Sequence, residues 1–238
     1  MVQGNLIQGQ VFAKSRAGGQ RQLTSGASIY EGDTIETVGE GSVVLQLKDG
    51  TFWDVYDDSI LAIEKYNFSD DGSGDSAVYH VHSGNLVYTS GEMSDRGASV
   101  EIKTGQTSIY PQGTKIEFIT YLGVTVGQVT EGTARVVTTQ NGTPTAEKVA
   151  TEGMWFVKDA NGEITVEKNK GLAQKAAKQA YKEAGVGAQS AGIIAAISSI
   201  LVKKDLGIEA ETDDLGADML TDTPAEGGSE TLIVASPS

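Results

Sequence analysis

Apolar and polar residues alternate in short bursts along the first two thirds of the chain. Val43, Leu45 and Leu47 stand against Val44, Gln46 and Lys48, the period-two pattern of a strand with one buried face. Asp49-Gly50 follows, a dipeptide suited to the positive φ of a tight turn, and Phe52, Trp53, Val55 and Tyr56 resume the β-favouring pattern. This predicts a hairpin. The same reasoning predicts strands at Leu6–Ala13, Thr34–Val38, Ser42–Leu47, Phe52–Tyr56, Ser59–Lys65, Ala77–His82, Asn85–Tyr88, Ser99–Lys103, Thr107–Tyr110, Lys115–Thr120, Val124–Thr130, Ala134–Thr139, Lys148–Ala150, Met154–Lys158 and Ile164–Glu167. Strands this short, punctuated by Gly, Asn and Asp, indicate a sandwich, a barrel or a β-solenoid. Met154 to Val157 is apolar on both faces and is expected to be buried more deeply than its neighbours.

The period changes near residue 170. Ala173, Ala177, Ala180 and Ala184 recur at helical spacing, with Lys175, Lys178 and Lys182 opposite and Gly185 to close the helix. A second helix is predicted over about 188–204, apolar nearly all round through Ile193, Ile194, Ile197, Ile200 and Leu201. Such a helix has to be buried against something. Residues 205–238 carry nine acidic side chains and no Lys or Arg, a composition that favours an extended tail. It ends in a β-prone patch at Leu232, Ile233 and Val234. The expected organisation is mainly β: an all-β domain over 1–168, a two-helix appendage over 169–204, and an acidic tail over 205–238.

An ordered set of segments in the β zone resembles the FecR domain family and the related N-terminal modules of type I secreted bacterial adhesins. Gln8–Val11 opens the set. Leu23, Glu31–Thr37, Ser42–Gly50 and Asp58–Ile63 follow, and Gly84–Val87, Val100–Thr104, Gly113–Phe118 and Val129–Val136 complete it. The resemblance spans roughly residues 8–158 and implies an extracytoplasmic, FecR-like β-sandwich or β-solenoid-like interaction domain without catalytic residues. At one position the chain departs from the family, with Gln112 where an Arg usually precedes Gly-Thr. The family's signalling members also carry a membrane helix ahead of this domain, whereas the chain starts almost directly at it.

Charge and composition narrow the function classes. The net charge of −14 argues against nucleic acid as a partner. The absence of cysteine removes disulfides, thiolate metal sites and a Cys nucleophile. No apolar run reaches the length of a membrane-spanning helix, and the N-terminus shows no Sec-type signal peptide. His80 and His82, at i and i+2 on a predicted strand, share a face. Two ligands do not make a metal site, no acidic residue lies on that strand to complete one, and a partly exposed strand face is the favoured reading. Asp70, Asp71 and Asp75 on a glycine-bent loop suit a hard cation such as calcium, but the bidentate Glu of an EF-hand is missing. A solvated turn is the simpler reading there. No cofactor is required, calcium being the one candidate.

These observations predict a non-enzymatic bacterial cell-surface or extracellular protein, exported without a Sec-type signal peptide, with type I secretion as the candidate route. Its expected partner is itself: Ile193, Ile194, Ile197, Ile200, Leu201, Leu232, Ile233 and Val234 are the residues expected to mediate self-assembly, with a closed oligomer or a filament as the product. Two alternatives stand beside this, an envelope ligand-binding or regulatory FecR-type module and a calcium-dependent adhesin module.

Overall fold

The computed structural model describes residues 2–69 and 71–183. Within them thirteen strands form one continuous hydrogen-bonded sheet, accompanied by two helices. The strands are β1 (Val2–Lys14), β2 (Gln20–Gln22), β3 (Ala27–Ile29), β4 (Thr34–Gln46), β5 (Phe52–Val55), β6 (Ile60–Asn67), β7 (Ser76–Thr89), β8 (Ser99–Thr104), β9 (Thr107–Tyr121), β10 (Val124–Gln140), β11 (Thr143–Thr151), β12 (Trp155–Lys158) and β13 (Ile164–Glu167). Helix α1 (Glu92–Asp95) links β7 to β8, and α2 (Lys170–Glu183) follows β13. The mainly β architecture agrees with the alternation in the sequence, as does the alanine-lined helix near residue 170.

Four strands that the sequence divides in two run through as one. β4, β7, β9 and β10 are continuous across the glycines at 39–41, 84, 113 and 132, and each changes partners at its break. The first half of β4 pairs with β6 and its second half with β5. The first half of β7 lies between β6 and β8, and its second half between β5 and β9. β10 pairs with β12 through Thr125–Gln128 and with β11 through Thr133–Gln140. The strands therefore bend, and one sheet makes two facing layers. Layer I contains β3, β5, β12 and β13 with the matching halves of β1, β4, β7, β9 and β10. Layer II contains β2, β6, β8 and β11 with the other halves.

Two of the bends require glycine. At Gly132 φ is +69°, and a Cβ placed there would lie 1.9 Å from the Gly113 carbonyl oxygen on the neighbouring strand. At Gly84 φ is +121°, and a Cβ would overlap Ser59 at 2.0 Å. Both positions combine a backbone region that L side chains avoid with no room for any side chain.

The core fills the space between the layers. Trp53 of layer I meets Tyr79 of layer II with ring centroids 5.2 Å apart, and Tyr88 and Phe118 lie 5.0 and 6.1 Å from the same indole, all edge to face. Edge-to-face pairs add roughly 0.5–1.5 kcal/mol each beyond the area they bury. Val43, Leu45 and Leu47 point into this core, as do Ile116 and Phe118. The Asp49-Gly50 hairpin also forms, and there Asp49 accepts hydrogen bonds from Thr51 N–H and Oγ1–H and from Tyr66 Oη–H.

A second, smaller apolar cluster lies on the outer face of layer I. Ala173, Ala177 and Ala180 of α2 pack on Ile119, Val124, Val126, Trp155 and Val157. This accounts for the apolar character of β12 on both faces, since Phe156 enters the main core while Trp155 and Val157 lie under the helix. The predicted helix over 188–204, the acidic tail over 205–238 and all eight residues assigned to assembly lie outside the described residues.

Candidate functional site

The outer face of layer II carries no helix among the described residues, and most of the unabsorbed chemistry of the chain collects there. Register decides which residues meet. Thr34 pairs with Ala62, Ala62 with His80, His80 with Lys103, and Lys103 with Ser108. All five are partly exposed, while Ile35, Leu61, Tyr79, Ile102 and Ile109, one position along, are buried. The sequence places His80 and His82 together on this face, and the structure does so too, with ring centroids 4.0 Å apart and planes inclined at 31°.

What the sequence does not reveal is the acidic partner. Glu64, on β6, stands beside the histidines: Oε1 is 3.1 Å from His80 Nδ1, and Oε2 accepts from Lys103 Nζ at 2.8 Å. The Lys103 ammonium holds the Glu64 carboxyl below the usual carboxylate range, with His80 assisting and partial burial opposing. Glu64 in turn raises Lys103. Partial burial and the neighbouring His80 hold His82 below the ordinary imidazole range. Along the same face, Glu101 accepts from Ser108 Oγ at 2.5 Å, and the Arg135 guanidinium lies over the Tyr110 ring at 4.3 Å.

Next to this cluster is an open groove of about 490 Å³ whose lining includes Arg16, Thr34, Glu64, Lys65 and Lys103. Arg16 donates to the Glu64 backbone carbonyl at 3.2 Å, which fixes its head group over β6. Three cations against one carboxylate make the groove locally positive on a chain whose net charge is −14. Among the described residues no hydroxyl hydrogen-bonds either histidine and no set of three metal ligands occurs. The arrangement is a set of charges held in fixed positions on an outward sheet face.

The aspartate loop is built differently. Asp71 accepts from Ser69 Oγ and Ser73 N–H, and Asp75 accepts from Ser69 N–H and Oγ. Asp75 is buried, and its other oxygen lies 3.8 Å from Arg96. Asp70 is outside the described residues. The carboxylates of Asp71 and Asp75 thus hold the loop closed through its own donors.

No protein-family model matches the sequence, and no curated protein matches it. Among solved structures, two of a putative anti-sigma factor from Parabacteroides distasonis ATCC 8503, at 1.65 and 2.50 Å resolution, are similar. Each is 17% identical, with TM-scores of 0.45 and 0.46. The match covers 56% of this chain and 58% of that one, so the chain spans little more than half the length of the structures it matches. The expectation of a self-assembling, filament-forming surface protein is corrected. The structures this chain is similar to are of a putative anti-sigma factor. The alanine seam of α2 packs on the chain's own β9, β10 and β12, and the eight residues expected to mediate assembly lie outside the described residues.

Proposed function

We propose that this chain is a non-catalytic ligand-binding or regulatory module of the FecR type that works in the bacterial envelope. It recognises an anionic group of its partner in the groove on layer II. The ordered FecR-like segments between residues 8 and 158 support the family reading. The observation that carries the binding role is the cationic groove: Arg16, Lys65 and Lys103 converge on an outward sheet face of an otherwise acidic molecule. A cleft of one sign on a surface of the other concentrates complementary ligands and orients their approach.

Arg16 and Lys103 are anchored by Glu64, through its backbone carbonyl and its carboxylate respectively. Lys65, whose backbone pairs with Val78 of β7, completes the set. Cations held in place lose little side-chain freedom on binding, which favours affinity.

The test is capture of envelope proteins by the full-length chain and by Arg16→Glu and Lys65→Glu variants, read by mass spectrometry, with light scattering for oligomeric state. A monomeric chain that retains a defined partner, and loses it when the groove charge is reversed, supports the reading. Polymers, or a partner set indifferent to charge reversal, overturn it.

A further inference from the structure

We propose that His80 and His82 form an open two-imidazole site for a divalent late transition ion, with Cu²⁺ bound most tightly, and that Glu64 acts as its positioning residue. This inference does not depend on the proposed regulatory role.

The geometry begins with Glu64. Its Oε2 accepts from Lys103 Nζ at 2.8 Å, and its Oε1 is 3.1 Å from His80 Nδ1. A carboxylate only accepts hydrogen bonds, so the proton of His80 sits on Nδ1. That leaves the Nε2 lone pair of His80 available to a metal. A carboxylate bonded to the remote nitrogen of a histidine fixes the tautomer and ring orientation and raises ligand basicity, which is the usual surrounding of a metal-binding imidazole. Lys103 holds the carboxylate in place, so the orienting chain runs Lys103, Glu64, His80 across β8, β6 and β7.

His82 supplies the second donor. Its ring centroid is 4.0 Å from that of His80. The two rings lie nearly face to face with planes inclined at 31°, so one ion reaches both when the exposed His82 ring turns to bring its nitrogen within the about 4.2 Å that two metal–nitrogen bonds of about 2.0–2.1 Å span, His80 staying held by Glu64. The i, i+2 spacing on a strand keeps the rings on one face, and the exposure of His82 gives an ion in water direct access. No third His, Asp or Glu completes a ligand set among the described residues, so the remaining positions fall to water. Imidazole donors with open positions suit Cu²⁺ above Ni²⁺ and Zn²⁺ in the general affinity order. The absence of cysteine removes competing soft ligands.

The experiment is titration of the full-length chain with Cu²⁺ in a non-coordinating buffer, followed by calorimetry and electron paramagnetic resonance, with wild type, His82→Gln and Glu64→Gln compared. The expected result is one tight equivalent whose spectrum shows coupling to two imidazole nitrogens. His82→Gln should abolish the two-nitrogen signature. Glu64→Gln should keep both nitrogens while weakening binding by roughly tenfold to a hundredfold, the range for loss of an orienting carboxylate. The melting temperature of each variant reports folding, and His82, being exposed, decides the matter if Glu64→Gln unfolds. A spectrum of oxygen donors alone, or equal binding by wild type and His82→Gln, overturns the proposal.

Discussion

Replacing Gly132 by alanine tests whether the bends make the two layers. Two costs act at that position. The first is conformational: φ of +69° is a left-handed value that costs a non-glycine residue roughly 1–2 kcal/mol. The second is steric. The new Cβ would lie 1.9 Å from the Gly113 carbonyl oxygen and 2.7 Å from that of Gln112. Ordinary contact begins near 3.4 Å, so β9 and β10 must separate by about 1.5 Å where both strands turn from one layer into the other. Overpacking of this kind adds roughly 1–3 kcal/mol. The sum, about 2–5 kcal/mol, lowers the melting temperature by about 4–20 °C for a domain of this size. Gly142 is the internal control: its φ is +78° in the β10–β11 turn, but nothing lies within 4 Å of an added Cβ. Gly142→Ala should therefore show the conformational cost alone, about 2–4 °C per kcal/mol. Thermal unfolding followed by circular dichroism measures both. If Gly132→Ala melts within two or three degrees of Gly142→Ala, the bend does not depend on close approach of the strands and the account of the layers fails.

Lys158 is 4% exposed and donates to the Gly123 carbonyl at 2.6 Å. Burial holds its pKa below the ordinary lysine range, with Asp159 opposing. The unfolded chain then binds more protons than the folded one between that lowered value and about 10.4, so stability should rise with pH across this window. Urea unfolding of Lys158→Met should lose the alkaline rise, and parallel pH profiles would contradict the assignment. Ala177→Glu forces a carboxylate into the α2 seam, where Ala177 is fully buried; the emission of Trp155 should shift to the red while the main unfolding transition persists. A single cooperative loss of both would show that α2 is integral to the sheet. Arg21→Ala removes the guanidinium that donates to both oxygens of the buried Asp33, leaving that carboxylate its bond from Tyr30 N–H. The loss, discounted because Arg21 is partly exposed, should be about 2–3 kcal/mol in denaturant unfolding. Arg21→Lys should recover part of it, since one ammonium cannot reproduce the two-pronged contact.

Much of the β architecture was legible because alternation is a local signal. Val43, Leu45 and Leu47 announce their buried face without knowledge of any partner, and Ala173, Ala177 and Ala180 do the same at helical period. In the sequence glycine reads as punctuation between strands, whereas Gly84, Gly113 and Gly132 bend strands that continue through them. A glycine that ends a strand and one that bends it both interrupt the pattern. Only the ladder distinguishes them, and it continues with new partners through β7, β9 and β10. β2 and β3, three residues each, and the single turn of α1 were missed for the converse reason. Segments that short hold no period; β2 and β3 form because β1 offers them an edge, and α1 because it buries its own Met93 in the main core.

The candidate site was legible only in its one-strand part. His80 and His82 lie two apart on β7, and the spacing alone puts them on one face. Glu64 and Lys103 are separated from His80 by 16 and 23 positions, and their meeting depends on the β6–β7 and β7–β8 registers. The β6–β7 pairing includes an irregularity between Ile63 and Lys65, at Glu64 itself. Without that extra residue, continued alternation from Ala62 opposite His80 would set Glu64 opposite Val78. The register instead gives Val78 to Lys65, which leaves Glu64 unpaired in the ladder. A bulge commonly re-aims a side chain in this way, and here the re-aimed carboxylate bonds both His80 and Lys103. No propensity in the sequence marks the bulge, because its cause lies in the cross-strand contacts that it creates. Deletion of Lys65 would remove the bulge and set Glu64 opposite Val78, while Tyr66 and Asn67 keep their partners Ala77 and Ser76 and their faces, so the change falls on the aim of the Glu64 carboxylate alone.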